Sequence, residues 1–345
     1  MASYIRKRKL KTYWKVGVRP SGPKKWTRWV WVITASLMVL ASSQSEAASF
    51  AIEDGQTLRD QAGRRIPVRK PFERIISLYG AHTENLFALG LEDEIVGVTP
   101  HEVYPPQALE KPAFSYHNDA EKFLAARPDL VLIRPMIDRG YPRLVKQLEY
   151  SGITVVSLQP TTVDELFTYW QALGLLTGRP RQAEHMIRDF QKAVAAFESL
   201  AATIATQKQV YFEAIHSKMK TFSPDSMAIF ALETAGGINV AADADPVRRT
   251  NIAYYGKERI LSKADRIDVY LAQTGHMNQP TIEMIRAEPG FDSIEAVRRN
   301  RICFIDEMIV SRPTMRLLDG IYAIGNCLYP EIFDENAKEL LKATP

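Results

Sequence analysis

Five of the six histidines in the 345-residue chain lie in or beside segments that follow runs of strand-forming residues: His82, His101, His117, His216 and His276. Imidazole ligates zinc, nickel, copper and iron and acts as a base near neutral pH. His82, His216 and His276 are the candidates for direct metal contact. No HxxxH pair occurs, so metal ligands would have to assemble from separate loops rather than from one helix face. Tyr79, Tyr104, Tyr116, Tyr141, Tyr254 and Tyr255 occupy the same regions, with Met277 and Phe222. Their flat surfaces suit a large conjugated ligand, and tyrosine can ligate ferric iron. A third group is Arg134, Arg139, Arg248, Arg249, Arg312 and Arg316. Guanidinium clamps carboxylates and phosphates through paired hydrogen bonds. Arg134 and Arg312, each beside a strand end and a proline, are the preferred two, and His185 falls on a helical segment away from these loops.

Catalytic patterns are sparse. The chain has no GxSxG elbow, no glycine-rich phosphate loop and no dinucleotide fingerprint. The "HTE" at His82 to Glu84 has the HxE order of zinc deaminases, but no PCxxC exists to complete a metal site. A binding protein is the expectation, with no intrinsic cofactor and no catalytic residue.

The elements that must carry these side chains come twice. In the first half "RIISLY" leads through a loop into "TENLFALGL" and then "EIVGVT"; in the second "QVYFEAI" leads to "SMAIFALETAGG" and "INVAA". "EKFLAARPDLVLIRP" matches "ERILSKADRIDVYLAQTG", and "LVKQLEYSGITVVSLQP" matches "IEAVRRNRICFIDEM". Near-continuous Val, Ile and Leu strands alternating with helices predict parallel sheets covered on both faces. The expected fold is α/β: two small parallel-sheet lobes, residues 48–160 and 208–345, joined by long backbone helices over 161–207. In the joining segment Leu166, Phe167, Trp170 and Leu173, then Met186, Ile187, Phe190, Val194 and Phe197, keep helical spacing, with Gly178 and Pro180 marking a stop and a restart. Ligands of open α/β sheets sit outside the carboxyl ends of the strands, so two such lobes define a cleft between them. Tyr79 to Glu84 belongs at that edge.

Residues 1–47 read as an export signal: ten Lys and Arg without an acid as far as Arg28, the apolar run "WVWVITASLMVLA", then "SSQSEAAS". An uncleaved anchor is the alternative. The run is short for a membrane span and no cysteine follows it to carry a lipid, so a freely soluble periplasmic protein is expected. Beyond residue 47 the chain has 34 Lys and Arg against 39 Asp and Glu, a formal charge of −5, which argues against nucleic acid as a partner. Cys303 and Cys327 are the two cysteines, and a disulfide and a pair of buried thiols are both open to them.

With repeat, joining helices and export signal in place, the chain resembles the siderophore and cobalamin class of periplasmic binding proteins that feed ABC importers. The resemblance runs from about Arg74 to Phe333 and is carried by "RIISLYGAHTENLFALGLEDEIVGVT", "VYPPQA", "EKFLAARPDLVLI" and "SRPTMRLLDGI". It implies a rigid two-lobed receptor that holds a ferric siderophore, haem or corrinoid between its lobes. It also implies a monomer that docks on an inner-membrane permease dimer. Tyr104 stands where cobalamin binders have a stacking tyrosine, and Tyr79, His82, Tyr116, His117, Arg134, His216, His276 and Arg312 complete the ligand-contact candidates. Glu121 and Glu258, at matching places in the two repeats, are the docking residues that the resemblance implies. Cobalamin members bridge the segment matching "LETAGG" to that around Cys327; here Ala235 occupies the first place, and Cys303 is the other candidate partner. A rival reading is a receptor for a bare transition-metal ion, held by the cleft histidines with Glu84, Glu102 and Asp119.

Overall fold

Strands of this chain are hydrophobic on both faces, and the packing shows why. In a computed structural model that describes residues 50–247 and 250–342, Leu130 and Leu132 of one strand join a core cluster on one side, while Val131 and Ile133 join another on the opposite side. Residues 1–47, expected to be an export signal, and Arg248 and Arg249 lie outside the described residues.

The described chain opens with an antiparallel meander, β1 (Ala51–Glu53), β2 (Thr57–Arg59) and β3 (Arg65–Pro67). The first lobe follows: β4 (Ile75–Ser77), α1 (Gly80–Ala88), β5 (Ile95–Gly97), α2 (Ala120–Ala126), β6 (Leu130–Ile133), α3 (Pro135–Gly140), α4 (Pro142–Tyr150) and β7 (Thr154–Ser157). Its four strands are parallel in the order β5-β4-β6-β7.

Two helices lead to the second lobe. α5 (Val163–Thr177) starts at Thr162, whose side chain accepts from the Glu165 N–H, and ends at Gly178 with φ +68°. α6 (Pro180–Ala201) has Pro180 in its first turn and buries Ala183, Met186, Phe190, Ala193 and Phe197, a stripe spaced three and four residues apart.

The second lobe contains β8 (Gln209–Ile215), β9 (Lys220–Phe222), α7 (Met227–Thr234), β10 (Ile238–Asn239), β11 (Asp245–Pro246), β12 (Ile252–Tyr254), α8 (Lys257–Leu261), β13 (Val269–Thr274), α9 (Ile282–Ala287), α10 (Glu295–Arg298) and β14 (Ile302–Asp306). It ends with α11 (Glu307–Val310), α12 (Leu317–Leu328) and α13 (Glu335–Lys342). β10, β8, β13 and β14 are parallel and repeat the order of the first lobe, so the duplication read in the sequence is a duplication of sheet topology. The second copy differs by an antiparallel ribbon, β9-β12-β11, attached to β8. One core cluster takes in α5, α6 and one face of both sheets, including Leu132, Trp170, Phe190, Phe212 and Leu271. A core continuous through both lobes opposes large hinge opening, because opening would expose apolar area at about 25 cal/mol per Å². Cys303 of β14 and Cys327 of α12 form a disulfide with Cα atoms 6.6 Å apart, so Cys303 does fill the place that Ala235 leaves.

Candidate functional site

Helix α1 carries four consecutive polar residues just after Gly80 and Ala81, His82, Thr83, Glu84 and Asn85, and all four are buried. Buried polar groups require partners. Between them the four reach β6, α5, Glu102 and the Arg312–Arg316 stretch of the second lobe.

His82 is fully buried, its Nδ1 2.6 Å from the Tyr169 hydroxyl and its Nε2 3.0 Å from the Ile133 carbonyl. Burial disfavours the imidazolium and pushes the pKa down to about 4, with the Ile133 carbonyl opposing and Arg134 assisting. The expectation that His82 touches ligand or metal is therefore corrected: both ring nitrogens are used in tying α1 to β6 and α5. Asn85 also has a structural role, accepting from Trp170 Nε1 at 3.0 Å and donating to the Pro313 carbonyl at 2.9 Å.

Glu84 faces the other lobe. Its Oε1 accepts from Arg312 at 2.7 Å and its Oε2 from Arg316 Nε at 3.1 Å. The carboxylate side chain is 3% exposed, against 14% and 20% for the two arginines, so this ion triad is largely shielded from water. Arg312 lies so close to the start of α1 that a Cβ on Gly80 would stand 2.4 Å from Nη1. A cation there opposes the helix dipole, and Glu84 offsets that cost. Arg312, expected as a free clamp for ligand anions, is committed to Glu84.

Thr83 leads to the third group. Its hydroxyl is 2.8 Å from Ser77 Oγ and 2.9 Å from Glu102 Oε1, while Ser77 Oγ donates to the Tyr79 carbonyl at 3.1 Å. With the Ser77 proton committed, the single Thr83 proton serves both contacts only if the Glu102 carboxyl supplies one of its own. Burial pushes Glu102 up to about 7, against the Thr83 hydrogen bond and Arg312, which favours that protonated form. Glu102 Oε2, Thr314 Oγ1 and Arg316 Nη2 are buried without hydrogen-bond partners.

The rim of this junction is aromatic and basic. The Arg316 guanidinium lies 4.5 Å from the ring centroid of Tyr104, which is 42% exposed, and Arg134 lies 5.1 Å from that of Tyr79. His101, after β5, and His276, after β13, face each other across the lobes with ring centroids 6.2 Å apart. Tyr79, Tyr104, Arg134, Arg312 and His276 thus gather where strand-end loops of the two lobes approach.

The other candidates are elsewhere. Tyr116, His117 and Tyr141 make a separate aromatic cluster beside α4, next to a pocket of about 500 Å³ that includes Asn118, Tyr141 and Arg143. His216 is buried, its Nδ1 2.7 Å from Glu213 Oε2, which also accepts from the Tyr270 hydroxyl. The hydrogen bond to Glu213 raises the His216 pKa despite burial. His82, His216 and His276 therefore stand in three different environments, and among the described residues no group of three or more His, Cys, Asp or Glu converges as a metal site. Tyr254 is exposed beneath Lys220, Tyr255 is buried, and His185 pairs with Asp189 on α6.

Residues 75–308 match the periplasmic binding protein family. The chain belongs to that family. Among relatives of this periplasmic binding protein, a vitamin B12-binding protein of Vibrio cholerae is 28% identical over 270 residues, covering 76% of this chain and 91% of the relative. An uncharacterised ABC transporter substrate-binding lipoprotein of Bacillus subtilis is 25% identical over 81% of this chain and 87% of its own length. A solved structure of a possible iron-binding periplasmic solute-binding protein from Staphylococcus epidermidis superposes with a TM-score of 0.67 at 28% identity, covering 75% of this chain and all of that one. The periplasmic vitamin B12-binding protein of Vibrio cholerae superposes with a TM-score of 0.58 at 26% identity, over 78% and 99% of the two chains. The two-lobed α/β architecture is that of the family.

The periplasmic binding protein site was only partly readable from residue types. Glu84, Glu102 and Arg316 were visible as acids and a base, but not as partners, since Glu84 and Arg316 are 232 positions apart. The available signal was four polar residues in succession at the start of an otherwise apolar helix.

Proposed function

We propose that this protein is an extracytoplasmic receptor that binds a metal chelate between its lobes, carries out no chemistry on it, and presents it to the permease of an ABC importer. Family membership supports the receptor role. Among chelates, the reading favours an amide-bearing corrinoid, and the observation that carries it is the junction's unpaired buried pair: an acceptor, Glu102 Oε2, and a donor, Arg316 Nη2. A carboxamide offers an N–H to the first and a carbonyl to the second. A ligand edge made only of carboxylates would suit Arg316 and leave the Glu102 Oε2 acceptor facing a second acceptor. The B12-binding relatives support the same reading. Tyr104, exposed on the rim, would give the flat surface against which such a ligand packs.

Glu121 and Glu258 would be the docking residues. Each is an exposed acid in the first turn of a helix, α2 and α8, that precedes the corresponding parallel strand of its lobe. The test is calorimetric titration of the purified protein with cyanocobalamin, haemin and ferrichrome. Tightest binding of cyanocobalamin supports the corrinoid reading, preference for haemin or ferrichrome replaces it with another chelate, and binding of none overturns the chelate receptor.

A further inference from the structure

The turn after β13, Gly275 to Asn278, forms part of the second lobe's side of the rim, since its His276 ring stacks on that of His101 from the first lobe. β13 lies between β8 and β14, and a buried carboxylate from beside each neighbouring strand reaches the turn. From β8 comes Glu213, fully buried, whose Oε1 accepts from Asn278 Nδ2 at 3.2 Å while its Oε2 meets His216 and the Tyr270 hydroxyl. The His216 N–H donates to Asn278 Oδ1 at 2.9 Å, so both ends of the Asn278 amide are held. From the start of α11, just after β14, comes Glu307, 8% exposed, whose Oε2 accepts the Met277 N–H at 3.0 Å. The Gly275 N–H closes the turn on the Asn278 carbonyl at 2.8 Å, and a Cβ on Gly275 would stand 2.3 Å from Glu307 Cγ.

Burying a carboxylate lowers stability relative to an apolar side chain unless its partners compensate. Glu307 holds one backbone N–H, and among the described residues no lysine, arginine or histidine forms an ion pair with it. Proteins retain such unfavourable placements at functional sites. The turn is also registered against the junction: Ser311, which directly precedes Arg312, donates from its hydroxyl to Gln273 Oε1 at 2.9 Å, and the Gln273 carbonyl accepts from Asn278 Nδ2 at 3.0 Å. Glu307 itself opens the short helix that leads to Arg312 and Arg316.

We propose that Glu307 is a positioning residue for ligand capture: it fixes the Gly275–Asn278 turn, anchored on its other side by Glu213, so that the exposed His276 and Met277 stand ready where a chelate enters beside Tyr104 and Arg316. The inference rests on the chelate-receptor reading above. A turn held rigid before binding contributes to affinity because little freedom is lost when the chelate arrives.

Glu307→Leu separates positioning from packing. It removes a buried charge and releases the Met277 N–H, so the urea midpoint should hold or rise while affinity falls about tenfold. Affinity is read by calorimetric titration with cyanocobalamin, haemin and ferrichrome in parallel, following whichever binds the wild type most tightly. Glu307→Gln keeps an oxygen for the Met277 N–H and should restore affinity to within about twofold of the wild type. Amide hydrogen exchange at Met277 should quicken in Glu307→Leu and slow again in Glu307→Gln. Undiminished affinity in Glu307→Leu, or a loss of affinity accompanied by a lower urea midpoint, would overturn the role of Glu307 and leave the receptor reading standing. Failure of all three chelates to bind the wild type would remove both.

Discussion

Glu84 and Arg312 are 228 positions apart in sequence and 2.7 Å apart in space, and with Arg316 they form a shielded ion triad where the lobes meet. Removing one member of such a group leaves uncompensated charge away from water. Glu84→Ala is expected to lower unfolding stability by about 3 kcal/mol, read from urea denaturation. A change within experimental error would show that the triad is solvated in solution.

Gly80 should matter because of Arg312. An added methyl would meet the guanidinium at 2.4 Å and force it off Glu84. Gly80→Ala should cost about 1–2 kcal/mol in the wild type and distinctly less in an Arg312→Ala background, a coupling that a double-mutant cycle measures.

Two buried groups impose opposite pH dependences. Unfolded His82 takes a proton near 6.5 and folded His82 only near 4, so its contribution to stability is complete above 6.5 and is lost as pH falls toward 4. Glu102 behaves in reverse: folded it binds a proton at about 7 and unfolded near 4.5, so its contribution is complete below 4.5 and is lost as pH rises through 7. Glu102→Gln should therefore gain on the wild type in urea midpoint between about pH 5 and about pH 8, and a difference that does not change with pH would assign Glu102 an ordinary pKa.

The disulfide closes a loop between residues 24 positions apart. Cys303→Ser with Cys327→Ser should cost about 3 kcal/mol in thermal or urea unfolding. The closed loop carries Arg312 and Arg316 of the junction, so ligand affinity should fall as well, read by calorimetric titration.

Charge reversal separates docking from binding. Glu121→Lys and Glu258→Lys should leave affinity for the ligand identified by titration intact while reducing uptake in a reconstituted importer by about tenfold or more. Unimpaired uptake in both variants would remove these residues from the docking surface.

The parallel lobes and joining helices were legible in the sequence because their signals are local: hydrophobic runs of strand length, helical spacing from Leu166 to Phe197, and a stop and restart at Gly178 and Pro180; the antiparallel meander β1–β3 and the ribbon β9-β12-β11 were not. The sequence also showed the duplication, since each repeat uses the same order of strand and helix. Only the tertiary structure decided what the polar residues do. His82 and His276 are alike as sequence features, yet one is enclosed by Tyr169 and Ile133 and the other is exposed opposite His101. Arg312 looked like a free anion clamp until folding brought Glu84 to it. A side chain's role depends on desolvation and on partners brought from distant segments, and neither is encoded by the spacing of residue types along one stretch of chain.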